Sequence, residues 1–301
     1  MTAVIRRVGP EAAAPVLTVV REAFGSRPAL DPPADALQET EESIAAALAA
    51  GGGLLAEIEG TPAGAVLLDP RDDVTYLRRF GVVPGARRHG VARTLVGAAL
   101  DAVRTDEVAV LARQELPTTV GFWHDRGFEE IARDAPYVEL RRRLVTRSTV
   151  VDGEAMRALG ERLAGGLRRG DLVVLVGGLG AGKTTLTQGL GAGLGVRGEV
   201  TSPTFVIARV HPSLGEGPAL VHVDAYRLGG LAELDDLDLD ASLDDAVTVV
   251  EWGAGLAEAL SDSWLEVRID RATGEGDPLE SPEVADPRRV AVRGFGPRWV
   301  G

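Results

Sequence analysis

The sequence predicts an α/β protein of two domains, a mixed-sheet domain over residues 1–145 and a domain with a mostly parallel sheet over residues 146–301. Three observations support this class. A chain of 301 residues, 45% of them hydrophobic, can bury two cores of ordinary size. Short apolar runs of strand length alternate with longer segments rich in Ala and Leu. In the second half, a glycine-rich loop directly joins one such strand to a helix.

Composition excludes several kinds of chemistry. The chain has no cysteine, which excludes disulfides and thiol catalysis, and its four scattered histidines argue against a zinc centre. Residues 1–145 hold 17 Arg against 21 acidic residues (net −4), and residues 146–301 hold 15 Lys plus Arg against 24 (net −9). Neither half is therefore predicted to bind nucleic acid on its own. No apolar run approaches the ~20 residues of a membrane span, so we expect a cytoplasmic protein without membrane contact.

The first domain is predicted to begin with helices and to continue with strands. A Pro-rich break at residues 28–33 separates two Ala- and Leu-rich segments, and Glu59-Gly60-Thr61-Pro62 joins two apolar runs as a hairpin turn does. The predicted elements in chain order are helices 11–24 and 35–49, hairpin strands 54–58 and 64–68, a strand 74–83, a helix ending near Arg104, a strand 108–112 and a short helix 118–125.

A small flexible turn precedes the third of these helices. It has the pattern R-x-x-G-x-A at residues 87–92, and free backbone amides at a helix N-terminus suit a pyrophosphate. Taken alone, the pattern is equally compatible with the start of an ordinary surface helix.

The order of these elements, with V-x-P-x-x-R-x-x-G-x-A at 82–92 and W-H-D-R-G-F at 123–128, resembles the GNAT acetyltransferase family over about residues 3–144. The resemblance implies a GNAT-like domain that binds acetyl-CoA, with the pantetheine arm along a strand end and the pyrophosphate on the turn. It also implies direct attack of an amine on the thioester. The acetyl-CoA-binding residues that it implies are Val82, Val83, Arg87, Arg88, His89, Gly90, Val91, Ala92 and Arg93.

One position leaves the activity of this half open. Family members that protonate the leaving thiolate commonly use a Tyr four residues before the Gly of the G-F pair. That residue is Trp123 here, and an indole N–H is a donor but not a useful acid. Three interpretations therefore stand, namely an active N-acetyltransferase, a CoA-binding domain with little turnover, and a domain with only a structural role.

The second domain carries the most specific motif in the chain. Residues 172–176 are an apolar run typical of a buried strand, and residues 177–184 match G-x-x-x-x-G-K-[ST], a P-loop. In such a loop, backbone N–H groups surround a phosphate, Lys183 reaches the β- and γ-phosphates, and the Thr184 hydroxyl binds Mg²⁺. Lys183 is the only lysine among the 32 Lys and Arg residues. It stands where a compact ammonium is preferred over a guanidinium, which favours a P-loop NTPase domain.

Two further apolar runs are predicted to be strands that end in carboxylates. The run 219–224 ends in Asp224, and the run 246–250 is followed by Glu251. In an open parallel sheet, the carboxyl ends of the strands face one crevice, so both side chains should point toward Thr184. Each carboxylate alone can be a solvated strand end, whereas together with the P-loop they form a set that binds magnesium and activates water.

Three other segments complete the prediction for this half. An opening strand at 149–152 precedes an amphipathic helix at 153–167, and residues 168–171 turn into the P-loop strand. The segment T-S-P-T-F at 201–205 is either an ordinary turn around its proline or a switch whose hydroxyls sense the γ-phosphate.

Four motifs in a fixed order, G-G-L-G-A-G-K-T-T, T-S-P-T-F, H-V-D-A-Y-R-L and V-V-E-W-G, resemble the TsaE family over about residues 148–301. The resemblance implies the Mg²⁺-dependent ATPase subunit of the bacterial machinery that makes threonylcarbamoyladenosine beside the tRNA anticodon. It implies TsaB- and TsaD-like partners, contact with tRNA only through them, and catalytic roles for Lys183, Asp224 and Glu251. The implied ATP-binding residues are Gly177, Gly180, Ala181, Gly182, Lys183, Thr184, Thr185, Thr204 and Trp252, and the implied metal ligands are Thr184, Glu251 and Asp224.

Rival nucleotide-dependent functions can be weighed from the same residues. A GTPase needs N-K-x-D to bind guanine, and a chain without Asn whose single Lys lies in the P-loop excludes that motif. A small-molecule kinase needs an arginine-rich lid, whereas residues 231–245 carry seven acidic residues and no basic one. Such a run is usually a solvated surface, and it can also dock a basic protein partner. A non-enzymatic interpretation, in which bound ATP only locks an assembly, stays open.

Overall fold

A computed structural model of the chain describes residues 3–203, 206–227, 244–255, 260–271 and 287–300. The chain divides into two compact units, and the division falls between Leu144 and Val145. Within the described residues, no helix combines the length and the apolar character needed to cross a bilayer.

The N-terminal unit is built on one mixed sheet of seven strands. These are β1 (Val4–Val8), β2 (Gly53–Ile58), β3 (Thr61–Arg71), β4 (Val74–Val82), β5 (Glu107–Arg113), β6 (Glu129–Asp134) and β7 (Tyr137–Arg143). Their spatial order is β1-β2-β3-β4-β5-β7-β6. Only β4 and β5 run parallel, and the other neighbours are antiparallel. The mixed sheet that the sequence predicts is confirmed.

Helices cover this sheet on both faces. They are α1 (Ala13–Gly25), α2 (Glu41–Gly51), α3 (Val91–Ala102) and α4 (Pro117–His124). Val16 and Ile44 of α1 and α2 join one buried cluster, whereas Leu95 of α3 and Trp123 of α4 join another. Because alternate residues of a strand point to opposite faces, β2 and β3 contribute apolar side chains to both clusters.

The two parallel strands separate along their length. Pairing between β4 and β5 is confined to residues 74–76 and 107–109, although the strands continue to Val82 and Arg113. A register shift in the β3–β4 pairing and a positive φ of 54° at Arg79 bend β4 at this point. The carboxyl ends of β4 and β5 therefore enclose an opening in the sheet.

The C-terminal unit has a second seven-stranded sheet. Its strands are β8 (Val145–Val150), β9 (Leu172–Val176), β10 (Ala208–His211), β11 (Ala219–Asp224), β12 (Ala246–Glu251), β13 (Trp264–Arg271) and β14 (Arg288–Phe295). The order is β10-β11-β12-β9-β13-β14-β8. The four strands from β11 to β13 are parallel, and antiparallel strands extend this centre on both sides. The predicted opening strand at 149–152 instead spans Val145–Val150, because residues 145–150 pair in antiparallel register with residues 288–293 of β14.

Two helices pack closely on one another over this sheet. They are α5 (Gly153–Ala164) and α6 (Lys183–Leu194), and α5 ends three residues before the predicted end at 167. A Cβ on Gly160 would lie 2.4 Å from the Leu186 carbonyl oxygen, and one on Gly189 would lie 2.1 Å from that of Arg157. Glycine inside a helix is normally destabilising, so these positions indicate that close approach of the two backbones is what the glycines allow. The contact holds α6, and with it the P-loop, in place.

Candidate functional site

The loop between β9 and α6 has the backbone conformation of a phosphate cradle. Gly180 and Gly182 have φ values of 72° and 110°, in the left-handed region that residues with a Cβ rarely adopt. Helix α6 begins at Lys183 and has no side-chain cap on its first amides. Those amides and the positive end of the helix are available to an anion.

A cleft of ≈ 260 Å³ lies over this helix start. It brings together the P-loop and the ends of β11 and β12, as the parallel register of these two strands requires, because Asp224 pairs with Glu251. The lining residues are Leu179, Gly180, Ala181, Gly182, Lys183, Thr184, Thr185, Ser202, Asp224, Glu251 and Trp252.

The ammonium of Lys183 is held inside the loop. Its Nζ donates hydrogen bonds of 2.9 Å to the carbonyl oxygens of Gly177 and Gly178, and lies 3.8 Å from the centre of the Trp252 ring. Burial lowers the pKa of Lys183, and the carboxylates of Glu251 and Asp224 oppose that shift. The Lys183 ammonium therefore lies beside the start of α6. A bound phosphate can replace the two carbonyl oxygens as its hydrogen-bond acceptor.

Glu251 connects the P-loop helix to the sheet. Its Oε1 accepts a hydrogen bond of 3.0 Å from the Thr184 hydroxyl and one of 2.8 Å from His222 Nε2. The side chain is buried, and its neighbour Trp252 has a φ of 61°, which is strained for a residue with a Cβ. Two donors on one oxygen fix the carboxylate against the helix N-terminus.

Asp224 lies beside Glu251 and is also buried. Its Oδ1 accepts a 3.0 Å hydrogen bond from the backbone N–H of Tyr226, and its own N–H donates to the Ile207 carbonyl at 2.8 Å. The first bond orients the carboxylate, and the second ties the end of β11 to the segment that follows Pro203. The cleft therefore contains a hydroxyl and two carboxylates, the hard oxygen ligands that Mg²⁺ prefers.

Not every residue implied by the sequence lines this cleft. Gly177 does not line the cleft, but its carbonyl oxygen accepts a hydrogen bond from Lys183. Thr204 lies outside the described residues, as do Phe205 and most of the acidic run 231–245. The sequence left open which hydroxyl of T-S-P-T-F faces the nucleotide. Among the described residues of this segment, Ser202 lines the cleft.

Two supporting residues belong to motifs in the sequence, but no role was predicted for either of them. Arg288 of β14 donates from Nε to the Ala181 carbonyl at 3.2 Å, so it holds the outer side of the P-loop. No local signal links Arg288 to the P-loop, because β14 comes more than 100 residues later. His222 had a signal, since it lies two residues before Asp224 on the same face of β11.

The turn before α3 forms a second helix start of similar geometry. Arg88 and Gly90 have φ values of 67° and 78°, and α3 begins at Val91 without a side-chain cap. Arg87 donates to the Ser26 hydroxyl at 2.6 Å and to the Val82 carbonyl at 3.4 Å, and His89 Nδ1 donates to the Arg87 carbonyl at 2.8 Å. Residues 87–90 are exposed, so the free amides at the start of α3 can be reached from solvent.

The remaining residues implied for acetyl-CoA surround this turn. Val82 ends β4 at the opening between β4 and β5, and Val83 follows it with its N–H bonded to Ala63. Ala92 and Arg93 are in the first turn of α3, and Arg93 is close enough to lower the pKa of Arg126, for which burial is the larger cause. The nine residues are thus contiguous around one strand end and one helix start.

Trp123 is a core residue. Its ring is 3% exposed and makes edge contacts with Phe80, Phe122 and Phe128, with ring centres 5.0–5.1 Å apart. Such packing stabilises the fold. It gives the indole no role as an acid.

Two family models match the chain, one in each half. The model described as "Threonylcarbamoyl adenosine biosynthesis protein TsaE" matches residues 150–277, and the "Acetyltransferase (GNAT) family" model matches residues 19–128. These matches agree with the two resemblances seen in the motifs.

Known proteins similar to the C-terminal half include two named as tRNA threonylcarbamoyladenosine biosynthesis protein TsaE. The one from Streptomyces coelicolor is 67% identical over 146 residues, which is 48% of this chain and 94% of that protein. The one from Mycobacterium tuberculosis H37Rv is 49% identical over 149 residues, 44% of this chain and 89% of that protein.

Among solved structures, a PaiA N-acetyltransferase from Thermoplasma acidophilum, in complex with coenzyme A, aligns with 48% of this chain and 99% of its own. The identity is 16% and the TM-score 0.43.

Proposed function

Because the chain belongs to the TsaE family through its C-terminal half, we propose that this half hydrolyses ATP with Mg²⁺ in support of threonylcarbamoyladenosine modification of tRNA. The observation that carries the proposal is the hydrogen bond from Thr184 to Glu251 across the P-loop cleft, with Lys183 buried beside it. A loop that only turned the chain would not need a buried ammonium and two buried carboxylates at one helix start.

Each residue of the cleft has a distinct part in that chemistry. The amides at the start of α6 hold the phosphates, and Lys183 offsets the charge on the β- and γ-phosphates. Glu251 and Asp224 are the acceptors near the cleft that can orient an attacking water. The Trp252 ring packs on the Tyr226 ring and covers the Lys183 ammonium with its face, a cation–π contact.

The described residues fit a magnesium ion. Thr184, Asp224 and Glu251 can supply oxygen ligands in one cleft, and the chain has no cysteine thiolate that would favour a softer metal. A bound Mg²⁺ supplies charge neutralisation on the phosphate oxygens during transfer. The Thr184–Glu251 bond keeps the hydroxyl and the carboxylate side by side in the absence of the ion.

The test is ATP binding and phosphate release by the full-length chain, in Mg²⁺ and in EDTA, alone and with TsaB- and TsaD-like proteins of the same organism. We expect binding by the chain alone and Mg²⁺-dependent phosphate release that the partners increase. If ATP binds and strengthens the assembly but no phosphate is released, the cleft is an assembly switch and the enzymatic proposal fails. Transfer of the phosphate to a small-molecule acceptor, at a rate equal to its release into water, would instead favour a kinase.

The acidic charge of the C-terminal half supports indirect contact with tRNA. A net charge of −9 over residues 146–301 opposes the phosphate contacts that dominate nucleic-acid affinity. The tRNA is therefore expected to be held by the partners. We propose that this work takes place in the cytoplasm.

For the N-terminal half we propose acetyl-CoA binding, with the turn at 87–92 on the pyrophosphate and the opening between β4 and β5 for the pantetheine arm. The observation that favours it is the separation of β4 from β5 next to an uncapped helix start. Slow N-acetyl transfer is the catalytic extension of this proposal, since Trp123 leaves the thiolate without an acid. Calorimetry with acetyl-CoA on the full chain tests binding, and failure to bind any CoA species would reduce this half to a structural role.

A further inference from the structure

His222 is a buried polar residue that the proposed chemistry does not use directly. It lies on β11, is fully buried, and its Nε2 is 2.8 Å from Glu251 Oε1. Its other ring nitrogen, Nδ1, is also buried and has no hydrogen-bond partner within the described part of the chain. A buried polar atom without a partner is costly, so the position is not explained by packing alone.

The direction of this hydrogen bond follows from the chemistry of the two groups. An ionised carboxylate only accepts, so the ring must donate its Nε2–H to Glu251. Oε1 then receives two donors, His222 and Thr184, and Oε2 accepts no hydrogen bond from the described residues. The ring therefore fixes which carboxylate oxygen faces the open cleft.

The two donors are not equivalent. The Thr184 hydroxyl belongs to the proposed oxygen set for Mg²⁺, so its bond to Glu251 competes with that role. His222 lies behind the carboxylate on the neighbouring strand, on the same face as Asp224, and has no competing role. It can hold Glu251 whether or not the cleft is filled.

We propose that His222 is a positioning residue that holds the Glu251 carboxylate for Mg²⁺–ATP. The proposal rests on the proposed ATPase function. Groups that orient metal ligands from behind typically change metal affinity or activity by about 10- to 100-fold when they are removed. The same is expected here, although His222 touches neither nucleotide nor metal.

A pair of substitutions separates the hydrogen bond from the packing. His222→Gln keeps an N–H donor at the ε position, whereas His222→Met has nearly the same shape as Gln and no donor. We expect His222→Met to raise the Mg²⁺ concentration for half-maximal ATP hydrolysis about 10- to 100-fold. His222→Gln should recover most of that loss, and ATP binding in EDTA should match the native chain in both variants.

Thr248→Val is the matched control. Thr248 is buried on β12, three residues before Glu251, and its hydroxyl has no partner among the described residues, so its loss should leave Mg²⁺ dependence unchanged. Equal defects in His222→Gln and His222→Met, or a defect in Thr248→Val of the same size, would show that only packing matters and would overturn the proposal.

A second measurement does not depend on turnover, and its main readout uses the native chain. In ¹H–¹⁵N spectra of the native chain without nucleotide, His222 should carry its ring proton on Nε2, and Glu251→Gln should shift that signal. A ring protonated only on Nδ1 would overturn the proposal directly. If the native chain fails to hydrolyse Mg²⁺–ATP while this signature is present, the ATPase assignment fails and the His222–Glu251 contact stands.

Discussion

Two helices of this chain start in the same way and are surrounded differently. Helices α6 and α3 each follow a glycine with left-handed backbone, Gly182 and Gly90, and neither has a side-chain cap on its first amides. At α6, a lysine, a hydroxyl and two carboxylates converge in a cleft, and the charged groups are buried. At α3, residues 87–90 are exposed, and the charged side chains of the turn are basic.

The difference separates binding from chemistry. A free helix start is enough to hold a phosphate group, because its amides and dipole favour an anion. Phosphoryl transfer also needs charge compensation on the transferred group and an acceptor for water, and only the α6 site provides both. Substitutions at α6 should therefore change turnover, whereas substitutions at α3 should change ligand affinity.

Lys183→Ala should have the largest effect. It removes the only ammonium of the chain from the cleft, so kcat for ATP should fall by about 10²- to 10³-fold, the usual cost of losing one preorganised charge donor. Lys183→Arg should rescue little, because a planar fork does not replace a point charge between two loop carbonyls. Phosphate release at saturating Mg²⁺–ATP measures both. Near-native rates in Lys183→Ala would remove the basis for the P-loop assignment.

Glu251→Gln is expected to rank second. It keeps the side-chain volume and loses the negative charge, so Mg²⁺-dependent hydrolysis should weaken more than ATP binding does in EDTA. Asp224→Asn should act in the same direction. Titration of Mg²⁺ during hydrolysis gives the apparent Mg²⁺ affinity, and titration of ATP in EDTA gives the nucleotide affinity. Normal hydrolysis by both variants would contradict the placement of these two carboxylates at the catalytic cleft.

At the other helix start, Gly90→Glu should abolish detectable acetyl-CoA binding. The new carboxylate would stand at the amides proposed to bind pyrophosphate, and the φ of 78° adds strain of about 1–2 kcal/mol. Gly85→Glu is the matched control, because Gly85 is in the preceding turn, has open space around its Cα and does not begin the helix. Calorimetry that finds equal affinities in both variants would show that α3 does not hold the ligand.

Bare tRNA should bind the full chain weakly at physiological salt. The formal net charge is −13, and phosphate neutralisation by Lys and Arg supplies most nucleic-acid affinity. Filter binding over a range of salt concentrations tests this. Tight binding that weakens steeply with added salt would move the tRNA contact from the partners to this chain.

The smallest effect is expected at Trp123. Trp123→Tyr adds a phenol near the position that the family resemblance assigns to an acid, whereas Trp123→Phe has the same ring without the hydroxyl. Since Trp123 packs among Phe80, Phe122 and Phe128, both variants should lose stability, and only the Tyr variant should show a modest gain in acetyl transfer. An equal gain in both would attribute the change to loosened packing.

The sequence predicted the elements that carry strong local patterns. The strand 219–224 was predicted with the bounds that the structure has, and β12 is one residue longer than the predicted 246–250. Both strands are buried and consist mostly of apolar residues, which is a strong local pattern. Strands β6 and β13 were not predicted. Every residue of β6 is exposed, so tertiary pairing and not local pattern decides its structure. Strand β13 does alternate apolar and charged residues with a period of two, and its buried Leu265, Val267 and Ile269 follow that pattern.

The candidate site was predictable where one segment supplies several groups, as in the P-loop. Asp224 and Glu251 required one further step, the rule that parallel strands end at one edge. The contact of His222 with Glu251 depends on the register between β11 and β12, and the support of Ala181 by Arg288 depends on β14. Neither is encoded within one stretch of the chain.

Phosphate release from ATP by the native full-length chain with the proposed TsaB- and TsaD-like partners, compared in Mg²⁺ and in EDTA, tests the central claim most directly. The α6 cleft predicts hydrolysis that requires Mg²⁺ and is lost in Lys183→Ala, with acetyl-CoA binding at α3 unchanged in that variant. Hydrolysis that persists in EDTA, or that survives in Lys183→Ala, would contradict it.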